Sequence, residues 1–595
     1  MNARLEDNGG AALGSESPRE PDIGSFGPGL MSQTQTTMVH RLGWIAAALV
    51  CTAYIAYLFS LTSFPFQDYP NHLARGTVMA DLLFESGARF GHWYSVALSP
   101  IPYVLHDLLL AGCIELFGIK TGGALFAALV FVSLPVALLF YLHVTQLAPR
   151  AKLFAFLISL YLSADGFFLM AFMGFRMALA EIIVSLALAE MLRRRWSRGR
   201  FGVYVMILIL GYLTHLAAPV FLAAALGISA LLRVGFRSTT VGRELYLLIP
   251  VGALLALHFG VFHSQHTQTT PPAYAYYWGT VHEKLQHLSF EFERFGARPA
   301  LTMMIMLTVC LLWPVRNALH ARAFAKLAVL EPLAIAGAFL ALYWLLPQEY
   351  ADSSYLDVRA LSITALMLLL TCLNLPDAST SGRTFETLPV LALAGLLAIG
   401  NLAYLVRHVG RDDALLARYR DVATSIPRGA AVLPIYTQRK EGEISPFLHA
   451  GSFLVADRGA VIPYLFSSDR GDAMKYFSYV KRPYMPDELW YKDQLGWEKA
   501  VQETYEVGGR PYTWRFAYSK RDKEWKMLDL TYIDWNRVAC DYDFLMVTMP
   551  VDMSMVRVPT RRIRANDTAV LLAVDKAACH PDQIVKHRVR LQSEH

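Results

Sequence analysis

The sequence predicts an α-helical polytopic membrane protein, with about eleven spanning helices and further interfacial helices, that ends in an extracytoplasmic α/β domain. Three observations carry that reading. Of the 595 residues, 55% are hydrophobic and 17% charged, against about 25% charged in ordinary soluble domains. The mean hydropathy is +0.35, and the apolar residues are concentrated rather than spread. Residues 1–40 are polar and rich in Gly, Ser, Pro, Asn and Gln, as in a disordered tail; 41–406 are a series of long apolar runs; 407–595 return to soluble composition.

A spanning helix needs roughly 20 mostly apolar residues. Such runs occur at 42–62, 121–142, 151–170, 174–192, 201–217, 218–234, 245–263, 299–315, 328–346, 359–375 and 388–406. The first is long and is followed by others, so it reads as a span and not as a cleaved signal peptide. The run 102–119 follows Pro100 and Pro102 and contains His106, Asp107 and Glu115; it is assigned to an interfacial helix. Loop charge sets that choice. With the N-terminus inside, Arg150, Lys152, the Arg193–Arg200 cluster, Arg233, Arg237, Arg243, Arg316, Arg322 and Lys326 all fall on the cytoplasmic side. Counting 102–119 as a span would move the Arg193–Arg200 cluster outside. An odd number of spans places 407–595 outside the cytoplasm.

The net charge of +6 sits in these short loops and does not indicate a nucleic-acid partner. Of six cysteines, Cys51, Cys113, Cys310 and Cys372 lie in or beside apolar runs as packing residues. Cys540 and Cys579 lie in the soluble domain, where an oxidising compartment would allow a disulfide. No CxxC pair or zinc-ligand spacing is present. Residues 430–436 and the run that begins at Tyr542 read as strands of a small mixed domain. Tyr464, Phe466, Tyr476 and Tyr484 belong to an aromatic stretch between them, suited to core packing or to gripping a glycan.

The unusual polar residues gather on the outer side. The first outer loop contains Asp68-Tyr69-Pro70-Asn71-His72-Leu73-Ala74-Arg75. Pro70 suits the first position of a helix. Asp68 then stands before a helix N-terminus, where the dipole favours its ionised form, and His72 and Arg75 share a face. The bland reading is a capping Asp68 on a solvated helix. Asp165, in Asp165-Gly166, is either a second carboxylate or a turn residue, the turn being favoured. Arg176 lies at the outer end of an apolar helix, where charged groups pair, bind something or snorkel. His215 stands at another outer helix end, and a structural role is the simpler one. The loop 347–359 carries Glu349, Asp352, Asp357 and Arg359. Arg359 suits a phosphate oxyanion bound bidentately, or an internal pair with Asp357 or Asp352. Loop 264–298, rich in His and aromatics, matches no metal motif and fits the headgroup belt.

The Asp68–Arg75 segment resembles the first outer loop of the GT-C superfamily of membrane glycosyltransferases. The interfacial helix before the second span, Gly174-Phe175, Thr214-His215, the arginine in Val358-Arg359-Ala360-Leu361 and an outer C-terminal domain are similar to it as well. Many members carry Asp-Glu where this chain has Asp68-Tyr69, so only the aspartate is carried over. The resemblance implies a bacterial inner-membrane enzyme with a cytoplasmic N-terminus, a polyprenyl-phosphate-linked sugar as donor and a glycan, lipid or protein as acceptor. Asp68 and His72 would be the catalytic candidates, with Asp68 the base of an inverting transfer. Arg359, Arg176 and Arg75 would bind the donor phosphate, and Asp165, His215, Glu349 and Asp352 would be further site residues. No nucleotide motif is present, and a divalent metal is left open. The competing readings are a transporter or flippase for lipid-linked saccharides, or a non-catalytic assembly partner.

Overall fold

The computed structural model describes residues 33–263, 276–288, 308, 326–350, 353–375, 388–435, 446–467, 476–485, 500–507, 510–519, 524–528, 535–549 and 556–581. The chain divides into a unit ending at Ile45 and a second unit from Ala46 onward. Helix α1 (Gln33–Ser60) begins in the first unit, where Trp44 Nε1 lies 3.1 Å from His40 Nε2. It follows the first predicted span but starts several residues earlier.

Helix α2 (Tyr69–Phe84) opens on Pro70 as predicted. It is not a solvated helix: Tyr69 through Asp81 are all buried. Strand β1 (Tyr94–Val96) follows, then the 41-residue α3 (Val104–Val144). A straight helix of that length would extend about 60 Å, twice the hydrocarbon thickness. Instead α3 is broken at Gly118, which takes a left-handed φ of 75° that suits glycine. A Cβ added at Gly122 would lie 2.3 Å from the Cys113 carbonyl oxygen, so the two halves fold back closely on one another. The first half is the run assigned to an interfacial helix, and the second follows the predicted span 121–142.

The membrane part continues through α4 (Pro149–Ser163), the one-turn α5 (Gly166–Leu169), α6 (Met173–Arg194), α7 (Arg198–Thr214), α8 (Ala217–Gly235) and α9 (Val241–Leu257). After strand β2 (Tyr276–Tyr277) come α10 (Val281–His287), α11 (Leu327–Leu345), β3 (Glu349–Tyr350), β4 (Ser353–Ser354), α12 (Val358–Asn374) and α13 (Leu388–Ala423). Six helices among the described residues are long and apolar enough to cross a membrane: His40–Ser60, Val104–Val144, Ala217–Gly235, Val241–Gly260, Leu327–Leu345 and Pro389–Ala423. The predicted spans 151–170, 174–192, 201–217 and 359–375 fall on helices α4 with α5, α6, α7 and α12, which are shorter or carry more charge. The run 151–170 is not one helix, because Ala164 and Asp165 break it. The predicted span 299–315 lies outside the described residues apart from Thr308.

Three of the arginines that set the topology, Arg193, Arg194 and Arg233, pair with acids at the ends of α6, α9 and α11. Arg193 holds Glu244 at 2.7 Å, and Arg233 holds Glu331 at 2.7 Å and Glu190 at 2.9 Å. Ser229 Oγ donates to Glu331 at 2.6 Å. The bias read from loop charge is therefore partly neutralised by acids on neighbouring helices.

Helix α13 does not stop at residue 406 but runs to Ala423, about 25 Å further at 1.5 Å per residue. Beyond the membrane segment it meets the first outer loop. Asp413 accepts the Thr62 and Ser63 amides at 3.0 and 2.6 Å, and Arg420 donates to the Thr62 carbonyl while pairing with Asp457.

In the soluble part, β5 (Val432–Ile435) precedes α14 (Ser452–Arg458) and β6 (Phe477–Tyr479). Strands β7 (Ala500–Val507), β8 (Arg510–Ser519) and β9 (Glu524–Leu528) form an antiparallel meander. Helix α15 (Trp535–Asp541), β10 (Phe544–Thr548), β11 (Thr560–Ala565) and β12 (Ala569–Val574) follow. The main sheet has the order β11-β12-β10-β5, with β5 and β10 parallel. Both strands read from the sequence lie in it side by side. Leu433, Tyr464, Val538, Tyr542, Leu545 and Leu572 fill its core. Strand β6 pairs antiparallel with β1 of the first outer loop, Ser95 opposite Ser478. The soluble domain and the first outer loop therefore lie on one side of the membrane, which requires an even number of crossings between them.

Cys540 and Cys579 form a disulfide, 39 residues apart in sequence. Non-reducing peptide mapping is expected to recover the linked pair, with Cys51, Cys113 and Cys372 as thiols. A loop of this length stabilises its fold by about 3–4 kcal/mol, so Cys540→Ala is expected to lower the Tm of the soluble domain.

Candidate active site

Asp68 is fixed through its backbone. Gln67 N–H donates to Leu169 O at 3.1 Å and Asp68 N–H to Met170 O at 3.2 Å. These bonds hang the start of α2 on the turn between α5 and α6. The Asp68 carbonyl accepts the Asn71 and His72 amides and begins the helix. Its carboxylate makes no capping bond. One oxygen, Oδ1, lies 3.2 Å from His449 Nε2 of the soluble domain, and the side chain keeps 14% of its exposure. Asp68 is thus not the capping residue of the bland reading: its carboxylate is held on one side and reachable on the other.

His72 and Arg75 share a face as predicted, with Arg75 Nη2 2.9 Å from His72 Nδ1. The carboxylate that meets them is Asp107 and not Asp68. Arg75 Nε and Nη2 donate to Asp107 Oδ2 and Oδ1 at 2.9 and 3.1 Å, with no exposure on either side chain. Tyr476 Oη lies 2.6 Å from Asp107 Oδ2, and His106 Nε2 lies 3.1 Å from Oδ1. Arg75 is committed to this pair. Burial lowers the His72 pKa from 6.5 to about 4, with the Arg75 charge acting the same way, so its ring is neutral at physiological pH.

Ligand atoms of His72, His106 and Asp107 lie within 4.8 Å of one another. The set does not fit a metal ion as it stands. Arg75 already occupies both oxygens of Asp107 with a delocalised positive charge, and a dication would have to displace it.

Asp165 and Arg176 are brought together. Asp165 Oδ1 accepts the Phe168 amide at 2.9 Å, so it is a turn-and-cap residue, and its Oδ2 receives Arg176 Nη1 at 2.6 Å. Arg176 Nη2 also donates to Leu162 O at 3.0 Å. Both side chains are buried. This pair braces the turn that carries Leu169 and Met170, the two carbonyls that hold Gln67 and Asp68.

His215 and Arg359 also meet. Arg359 Nη1 lies 3.3 Å from His215 Nε2, and its guanidinium carbon is 5.4 and 5.5 Å from the ring centres of Phe172 and Phe175. Tyr103 packs edge-on against His215 at 4.7 Å. Asp357, the pairing partner weighed for Arg359, instead caps α12 through Val358 N–H and pairs with Lys284 at 3.1 Å. Gly174 has a local reason: a Cβ there would lie 3.2 Å from Thr214 O and 3.3 Å from His106 Nδ1. Glu349 lies in β3, opposite Tyr277 and Ser354. Asp352 lies outside the described residues.

The segment 165–176 links these groups. Its Met170 carbonyl holds Asp68, its Phe172 and Phe175 rings flank Arg359, and its Arg176 is tied back to Asp165. Sequence reasoning missed two further members. His449 has no motif around it. Glu181 lies in an apolar helix and accepts Thr214 Oγ1 at 2.8 Å; an acid inside a membrane segment was a usable signal.

Removing one partner of a buried ion pair costs about 3–5 kcal/mol, whereas replacing both with apolar residues costs far less. Asp107→Ala is therefore expected to lower the Tm of the detergent-solubilised protein sharply, and Arg75→Met with Asp107→Leu to recover much of the loss. For His72, the folded pKa near 4 lies below the ordinary 6.5, so the unfolded chain takes up the proton first. This contribution to stability is full above about pH 6.5 and declines as the pH falls toward 4. Thermal melts of His72→Gln should be flatter across that window than those of the parent protein.

No family model matches the chain, and no curated protein matches its sequence. Among solved structures it is similar to ArnT from Cupriavidus metallidurans, a GT-C glycosyltransferase. The apo crystal structure is 11% identical with a TM-score of 0.39, covering 91% of this chain and 99% of that one. The crystal structure bound to undecaprenyl phosphate is 12% identical with a TM-score of 0.37 and the same coverage.

Proposed function

We propose that the chain is an inverting glycosyltransferase of the GT-C kind. It moves a sugar from a polyprenyl-phosphate donor to an envelope glycan, lipid or protein acceptor at the outer membrane surface. The N-terminus is cytoplasmic in this reading and the soluble domain is periplasmic. The observation that carries it is the shared anchoring of a reachable carboxylate and a buried guanidinium. Met170 holds the Asp68 amide, and two residues later Phe172 packs against Arg359.

Each group has a part in the chemistry. The acceptor hydroxyl approaches Asp68 on its unengaged oxygen, Oδ2, and the carboxylate takes its proton. The acceptor oxygen bonds to the anomeric carbon from the face opposite the phosphate, and the bond from that carbon to the phosphate oxygen breaks. The electron pair leaves on polyprenyl phosphate, where Arg359 on the first turn of α12 offsets the developing charge. The apolar surroundings of Arg359 strengthen that attraction. Arg75 and Arg176 act one step back in this scheme: Arg75 secures α2 through Asp107, and Arg176 secures the turn beneath Asp68 through Asp165. His72, neutral and buried beside Arg75, stabilises that anchor rather than exchanging the acceptor's proton.

Asp68→Asn keeps the shape and removes the base. With an undecaprenyl-phosphate-linked sugar as donor, its kcat is expected to fall by about 10²–10⁴ while donor KM changes little. Arg359→Gln is expected to lower kcat/KM by about 10²–10³. Movement of the intact lipid-linked sugar across a vesicle membrane, with no transfer and no effect of Asp68→Asn, would overturn the proposal in favour of a transporter.

A further inference from the structure

The contact between Asp68 and His449 joins residues 381 positions apart and crosses from the first outer loop to the soluble domain. His449 is buried and precedes α14, its carbonyl accepting the Ser452 amide at 2.9 Å. Its ring packs edge-on against Phe466 at 4.9 Å. Phe466 is in turn clasped by α2: its amide donates to Asn71 Oδ1 at 3.1 Å, while Asn71 Nδ2 donates to Tyr464 O at 3.1 Å. Both ends of the Asn71 amide are used, one on each side of Leu465. The Arg75 guanidinium lies 5.7 Å from the Phe466 ring. The imidazole is thus held by a rigid two-point joint built from the same helix that begins at Asp68.

From this geometry we infer that His449 is a positioning residue for the Asp68 carboxylate, so that the soluble domain completes the active site. The inference rests on the transferase reading. At 3.2 Å, Nε2 carries the proton and donates it to Oδ1. That bond fixes the rotation of the carboxylate through Oδ1 and leaves Oδ2 for the acceptor hydroxyl. Asp68 lacks the capping bond that would otherwise fix its side chain, so His449 supplies the orientation that α2 does not. His449 touches no reacting atom in this scheme. It acts through Asp68, and a carboxylate misplaced by about 1 Å loses about 10²-fold in rate.

Two measurements on the full-length protein in lipid nanodiscs test this. The first is a thermal-unfolding cycle of Asp68→Asn, His449→Ala and the double variant, which needs no substrate. The two effects on Tm are expected to be non-additive, the double variant falling little below the lower single one; strict additivity would overturn the pairing. The second follows release of undecaprenyl phosphate from undecaprenyl-phosphate-linked sugars. His449→Ala is expected to lose about 10²-fold in kcat with donor KM within threefold. His449→Gln, which keeps an N–H donor, should recover at least tenfold of that. Equal kcat in all three proteins overturns the positioning role, as does equal loss in the Gln and Ala variants when both are folded. A wild-type protein that turns over none of the donors while the Tm coupling persists overturns the transferase reading and the positioning role, and leaves only the pair.

Discussion

The outer half of the molecule depends on the buried pair of Arg75 and Asp107. A guanidinium and a carboxylate without exposure are costly to desolvate, and they persist only when their geometry and remaining hydrogen bonds are good. Here they are good: two Arg75–Asp107 contacts near 3 Å, with the Tyr476 hydroxyl on the same carboxylate. The partners come from α2, from the first half of α3 and from the soluble domain. One ion pair therefore fixes three parts of the chain that share no local sequence. It also explains why α2, whose sequence allows a solvated polar face, is buried along most of its length.

Asp68 stands at the edge of this clamp and is treated differently. Its amide and carbonyl are fully used, by Met170 on one side and by the first turn of α2 on the other. Its carboxylate is spared from capping, although a residue at this position readily caps. A carboxylate with a fixed backbone, one held oxygen and residual exposure is consistent with the base proposed above. The surrounding ion pairs relieve it of structural work: Asp165 caps its own turn and holds Arg176, and Asp357 caps α12 and holds Lys284.

Much of this was legible, and the limits have physical causes. Apolar length located most of the helices, and loop charge separated 102–119 from the span after it, near the boundary where Gly118 turns the chain. Helical spacing placed His72 beside Arg75, and the outer-side bookkeeping brought His215 to the level of Arg359. What failed was partner choice. Spacing shows which residues share a face, not which distant residue faces them, so Asp107 was noted as an oddity in an apolar run and not as the counterion Arg75 requires. His449 left no trace, because a single histidine in a polar stretch has neither period nor motif; only the fold carries it to Asp68. The full length of the last helix was missed for another reason. Hydropathy drops at residue 406, but helicity does not, because residues 407–423 remain good helix formers with an amphipathic face for the soluble domain.

The two membrane ends differ in a way that bears on function. At the end away from the soluble domain, Arg193, Arg233, Glu190, Glu244, Glu331 and Ser229 interlock four helices. Opening a path there would break several charge-assisted bonds in partly buried surroundings, each of which is costly to leave unmade. Alternating access requires both ends to open in turn, and such a network opposes it. At the other end the charged residues hold a turn, a helix start and a domain joint around one reachable carboxylate. A locked end far from the soluble domain and a prepared end beside it fit the proposed transferase, which works at a single interface, better than a carrier that must open both.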